Sequence, residues 1–192
     1  MKYFARDWSE WFRDMNYLIT SKKCWISSVM LIILVIGVSC LSNQSTETGT
    51  VSDFEYVLYD GVDTPINLSD SYGAPIILNF WAGLCPPCRA EMPDFQEFYE
   101  EHGHEIVIIG VDIGKYTGLG SQKDALELVD DLGVTYTIGG VKDDSVIELY
   151  NVYGLPHTVF IDSEQNIVRA WSGAINLSKL EDIGLGMLES PQ

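Results

Sequence analysis

The chain has 192 residues, 46% of them apolar and 20% charged, with a formal net charge of −17 at pH 7. That length holds one ordinary domain and a short extension. The acidic balance repels phosphate backbones, which disfavours nucleic acid as a partner and leaves a solvated acidic surface as the plain reading over steering of a basic partner protein.

In chain order, residues 1–23 read as a cytoplasmic leader. Its segment Tyr3 to Ile19, with Trp8, Trp11, Phe12 and Tyr17 among charges, fits either an interfacial amphipathic helix or an unstructured arm. Residues 24–41, CWISSVMLIILVIGVSCL, carry no charge and would span about 27 Å as a helix, enough to cross a bilayer in a single pass. A removable signal peptide competes, but the leader is long and no A-x-A-like site follows Leu41. Lipidation at Cys40, in Gly37-Val38-Ser39-Cys40, is the alternative anchor, although Gly37 stands where a large aliphatic residue is expected. Lys2, Arg6, Arg13, Lys22 and Lys23 all precede the span, so the rest of the chain is expected outside the cytoplasm.

Residues 42–52 are small and polar and read as a flexible tether, with a folded domain over 53–192. Strands are predicted at Phe54 to Leu58 and Pro65 to Leu68, then a turn or helix at Ser69 to Tyr72. The apolar run IILNFWA predicts a strand buried on both faces, followed almost at once by a helix over Pro86 to Glu101. A strand at Glu105 to Asp112, a helix at Ser121 to Leu132, a short extended segment at Val134 to Ile138 and a helix at Asp143 to Tyr150 come next. Strands at His157 to Asp162 and Ile167 to Trp171 and a closing helix at Asn176 to Leu188 complete the order. Alternating strands and helices predict an α/β fold of three layers, with a central mixed sheet, helices on both faces and an antiparallel edge. The stretch Gly114 to Gly120, three glycines in seven residues, reads as a loop of open purpose.

Cys85 and Cys88 lie three apart at a helix start, where their sulfurs can bridge or separate as two thiols. Cys85 meets unpaired N–H groups and the positive end of the helix dipole, which favour its thiolate and make it the expected nucleophile. Cys88, one turn deeper, suits the resolving role. A zinc site would need two more ligands with metal spacing, whereas His102 and His104 are read on one loop and His157 alone, so no metal is expected. A purely structural bridge over so short a loop gains little.

The run NFWAGLCPPCRAEMP, with Trp81, Pro86 and Pro87 around the cysteines, resembles the active-site stretch of the thioredoxin superfamily, most closely its TlpA/ResA-type anchored thiol-disulfide oxidoreductases. Gly154-Leu155-Pro156 before a strand and the apolar span agree with that resemblance, which covers roughly residues 53 to 190. It implies a thioredoxin-like fold and a protein-disulfide reductase needing no organic cofactor. Implied partners are protein disulfides, apocytochrome c among them, and a membrane electron donor. It further implies a cis Pro156 opposite the cysteines, a substrate contact through the Leu155 backbone, and Glu91 as the acid serving Cys88. Asn79 stands where thioredoxin itself carries a buried Asp, which shifts proton handling towards Glu91. Gly83-Leu84 replaces the usual Thr-Trp or Glu-Trp and puts carried-over partner specificity in question. His157, usually Thr in relatives, is expected to be an exposed bystander, although a cation there would favour the thiolate. Two rivals remain: a thiol peroxidase, for which no Pro-x-x-x-Thr-x-x-Cys arrangement is present, and a non-catalytic copper- or partner-binding module using the two thiols as soft ligands.

Overall fold

The computed structural model describes residues 49–59, 61 and 65–188, so the leader, the 24–41 span and Cys40 lie outside the described residues. No helix among the described residues is long and apolar enough to cross a membrane.

Among the described residues eight strands form one sheet: β1 Gly49–Thr50, β2 Glu55–Leu58, β3 Pro65–Asn67, β4 Ile76–Trp81, β5 Val107–Asp112, β6 Thr137–Val141, β7 His157–Ile161 and β8 Asn166–Ser172. Their spatial order is β1-β8-β7-β4-β5-β6-β2-β3. β4, β5 and β6 run parallel, and antiparallel pairs close both sides. All six residues of β4 are buried, as a strand with helical layers on both sides requires.

Among the described residues five helices, α1 Pro86–His102, α2 Gly114–Thr117, α3 Gln122–Leu132, α4 Ser145–Leu149 and α5 Leu177–Gly186, and a 3-10 turn at Leu68–Ser71 join the strands. Alternation along β4 divides the core in two. Ile77 and Trp81 pack with Phe95 and Phe98 of α1, Ala125 and Leu128 of α3 and Leu180 of α5. Leu78 and Phe80 pack on the other face with Phe54, Leu68, Val146 and Tyr150. Helix α3 begins as its sequence dictates: the Ser121 hydroxyl accepts from Asp124 N while the Asp124 carboxylate accepts from Ser121 N, and Gly133 closes it with a left-handed residue.

The structure departs most from the sequence reading at four places. The expected tether over 42–52 is structured at its end, because Gly49 and Thr50 pair with β8 and Val51 is buried. β6 sits three residues later than the Val134 to Ile138 segment. Two glycines lie inside β6: a Cβ on Gly139 would meet Val57 O of β2 at 2.6 Å, and one on Gly140 would meet the Tyr59 side chain. The 114–120 loop contains the short α2, and α4 is three residues shorter than expected.

Candidate active site

The end of β4 delivers the chain into the turn Ala82–Cys85, closed by Cys85 N donating to Ala82 O at 3.2 Å. Cys85 is the N-cap of α1, and Pro86 and Pro87 occupy its first two positions, where proline's fixed φ suits the helix and its missing N–H costs nothing. Cys85 and Cys88 are joined as a disulfide with S–S 2.04 Å, and Cys88 N donates to Cys85 Sγ at 3.3 Å. Both residues are buried in this form, Cys85 at 3% and Cys88 at 0% exposure.

Glu91, one turn past Cys88, is 2% exposed. Its Oε1 accepts from Asn79 Nδ2 at 2.9 Å and its Oε2 from Ile175 N at 3.0 Å. Burial pushes its carboxyl up to about 7, outweighing the two hydrogen bonds, which pull it down; Asp94 adds a smaller push. Asn79, on β4, also donates to Thr158 Oγ1 at 3.0 Å across the β4–β7 pairing. Tyr136 borders this group: burial first and the Glu91 charge second push its phenol well above its ordinary range. Trp81 is fully buried in the same cluster as both cysteines.

The loop before β7 carries the Leu155–Pro156 peptide in the cis form. Pro156 is buried, and Leu155 is half-buried against both halves of the core, including the cluster that holds the cysteines.

His157 is the clear correction. It is 4% exposed, with Nδ1 3.1 Å from Ser172 Oγ and its ring 6.3 Å from that of Phe80. Pairing of Phe80 with His157 and of Asn79 with Thr158 puts the imidazole on the sheet face opposite Glu91. Among the histidines read as one loop, His102 is the last residue of α1. With Glu101 and Glu181 it places ligand atoms within 4.8 Å of one another, at the end of α1 remote from the cysteines.

Sequence reasoning missed Thr158, Ile175 N and Tyr136 as parts of the Glu91 environment. Thr158 follows from strand register once Asn79 is singled out. Ile175 N has no local signal, because it lies 84 residues from the carboxylate it serves.

The AhpC/TSA family matches residues 49–170. Thiol-disulfide oxidoreductase ResA of Oceanobacillus iheyensis is 30% identical over 167 residues, 81% of this chain and 83% of the relative. Its namesake in Bacillus subtilis is 28% identical, covering 84% and 91%. Among solved structures, the pneumococcal exposed lipoprotein thioredoxin Etrx1 of Streptococcus pneumoniae is 28% identical with TM-score 0.60, over 72% of this chain and 99% of that one. A thiol:disulfide interchange protein DsbE from Chlorobium tepidum, 23% identical with TM-score 0.65 over 73% and 96%, shares the fold. The chain belongs to the AhpC/TSA family, with a thioredoxin-like fold whose Cys85–Cys88 pair makes it a thiol-disulfide oxidoreductase of the ResA type.

Proposed function

We propose that the protein reduces disulfides of partner proteins outside the cytoplasm, anchored by residues 24–41, or by a lipid on Cys40, and supplied with electrons by a membrane donor. In the reduced enzyme the Cys85 thiolate attacks a partner sulfur, and the partner S–S bond breaks to release one thiol. Cys88, as thiolate, then attacks Cys85 in the mixed disulfide, releasing the second partner thiol and leaving the Cys85–Cys88 bridge. Two electrons pass to the partner. The Leu155 backbone beside cis Pro156 aligns the partner chain, and apocytochrome c belongs to the class of partner that this reading covers.

The observation that carries the proposal is Glu91. A buried carboxyl poised at about 7, on the same helix face as Cys88 and one turn away, can take the resolving thiol's proton and return it near neutral pH. A merely structural bridge has no use for such a group.

The roles are tested by trapping. Cys88→Ser accumulates mixed disulfides with membrane and extracytoplasmic proteins, and Cys85→Ser accumulates none; equal trapping by both erases the assignment. Protease added to intact cells stripped of their wall removes the 53–192 domain, whereas digestion only after lysis contradicts the topology.

A further inference from the structure

Glu91 is not the only carboxylate buried on the α1 side of the sheet. Asp112 ends β5, 4% exposed and paired in register with Trp81. Its Oδ1 accepts from Gly114 N at 2.8 Å and its Oδ2 from the Tyr59 hydroxyl at 2.9 Å. A desolvated acid is costly unless hydrogen-bonded, and here both bonds shape the start of the 114–120 loop.

That loop leads to the nucleophile. Gly114 O accepts from Leu119 N at 3.0 Å, and Leu119 O accepts from Leu84 N at 2.7 Å. A Cβ on Gly114 would lie 3.0 Å from Asp112 Oδ1 and 3.2 Å from the Ala82 side chain, so the loop sits directly on the pre-cysteine turn. Gly120, at φ +125°, touches Leu84 equally closely, with a Cβ placed 3.2 Å from Leu84 N. From the other side Gly83 abuts the backbone of Asp124 and Ala125 at 2.5 Å from the Cβ position. The turn that presents Cys85 is therefore gripped between α3 and a loop pinned by Asp112.

The orientation of that turn matters more here than at other helix N-termini. Pro86 and Pro87 have no N–H, so Cys88 N is the one first-turn amide bonded to Cys85 Sγ. Stabilisation of the thiolate then rests on the dipole and on a single N–H···S contact whose alignment the turn sets.

We propose that the Tyr59–Asp112 pair is a positioning device for the nucleophile: through the 114–120 loop it holds the turn that aims Cys85 Sγ at the Cys88 amide, and so sets the reactivity of the Cys85 thiolate. The inference rests on Cys85 as the attacking sulfur. Lys115 and Asp124 are the other charged groups acting on Asp112, in opposite directions.

The test is iodoacetamide alkylation of the reduced, full-length protein from pH 5 to 10, read by mass spectrometry on the Cys85 peptide. Asp112→Ala moves the Cys85 midpoint upward and slows its alkylation at pH 7 by about 3- to 10-fold, the size of one weakened hydrogen bond, while the high-pH plateau stays. Asp112→Asn, which keeps an acceptor for Gly114 N, recovers most of the loss. Gly120→Ala, which presses on Leu84 from the loop, moves the midpoint the same way with Asp112 intact. Should Asp112→Ala not fold, Tyr59→Phe and Gly120→Ala decide. Profiles that superimpose on wild type, whatever happens to Tm, overturn the proposal and leave Asp112 as a support of the fold alone. A wild-type Cys85 midpoint near the ordinary ~8.5 counts instead against Cys85 as the activated nucleophile, and the shift between variants still judges the positioning role.

Discussion

Glu91 and Asp112 are buried on the same face of the sheet, and each accepts one hydrogen bond from a backbone amide and one from a side chain. The amide on Asp112 comes from Gly114, two residues on, whereas the amide on Glu91 comes from Ile175 on a distant segment. A carboxylate bonded two residues ahead shapes a turn, as Asp does throughout proteins. One bonded only across the fold is assembled when the domain closes, and its proton equilibrium then reflects the whole site. Burial raises both acids, Glu91 to about 7. The comparison teaches that two buried acids with like hydrogen bonds can differ in place: Glu91 lies one helical turn from Cys88 on α1, whereas Asp112 ends β5.

The largest effect that sharpens this contrast is on stability against pH. Glu91 rises from its ordinary value near 4.5 to about 7 in the fold. Between those values the native state holds a proton that the unfolded chain has lost, so the contribution is full below about 4.5 and disappears as pH rises through 7. The shift corresponds to on the order of 3 kcal/mol. Urea unfolding of the oxidised protein shows stability falling from pH 5 to 8, and Glu91→Gln flattens most of that fall; an unchanged slope in the variant places Glu91 among ionised carboxylates. Asp112 contributes with the same sign.

Next comes Asn79→Ala. It removes the donor to Glu91 Oε1 and to Thr158, at about 1–3 kcal/mol for a buried polar group left without its partner. Because that donor holds the Glu91 carboxyl down, its loss extends the pH-dependent fall to higher pH; a fall ending at lower pH contradicts the assigned hydrogen bond. The smallest effect belongs to the surface. Asp131→Asn breaks the 3.4 Å pair with Arg89, whose side chains are 54% and 61% exposed, and changes unfolding by less than about 1 kcal/mol.

Much of the site was legible because its pieces are local. An uninterrupted apolar strand, two prolines between cysteines at a helix start, and a Gly-Leu-Pro before a second strand each carry their own geometry, and β4, α1 and β7 lie where those runs put them. The misses are long-range. Nothing near His157 says that Phe80 and Ser172 enclose it, since a polar residue after a loop proline reads as exposed. Gly139 and Gly140 extend β6 past Ile138, and the neighbours that require glycine there, Val57 and Tyr59, are about 80 residues away in the chain. The polar stretch at Gly49 and Thr50 becomes a strand only because the edge of β8 is there to pair with it. Asp112 carried no signal either, because its importance comes from Tyr59, 53 residues earlier.

The central claim, that Glu91 holds the proton of Cys88, is tested most directly by the pH dependence of Cys88 alkylation and of disulfide reduction in wild type and Glu91→Gln. Glutamine keeps the size of the side chain and an acceptor oxygen but carries no titratable proton. The account predicts that the variant folds, that reduction near neutral pH slows by about 10²-fold, and that the Cys88 profile loses the inflection it shares with Glu91 near 7. Curves that superimpose from pH 5 to 10 contradict it, and would leave Glu91 as a buried acid with no part in the exchange.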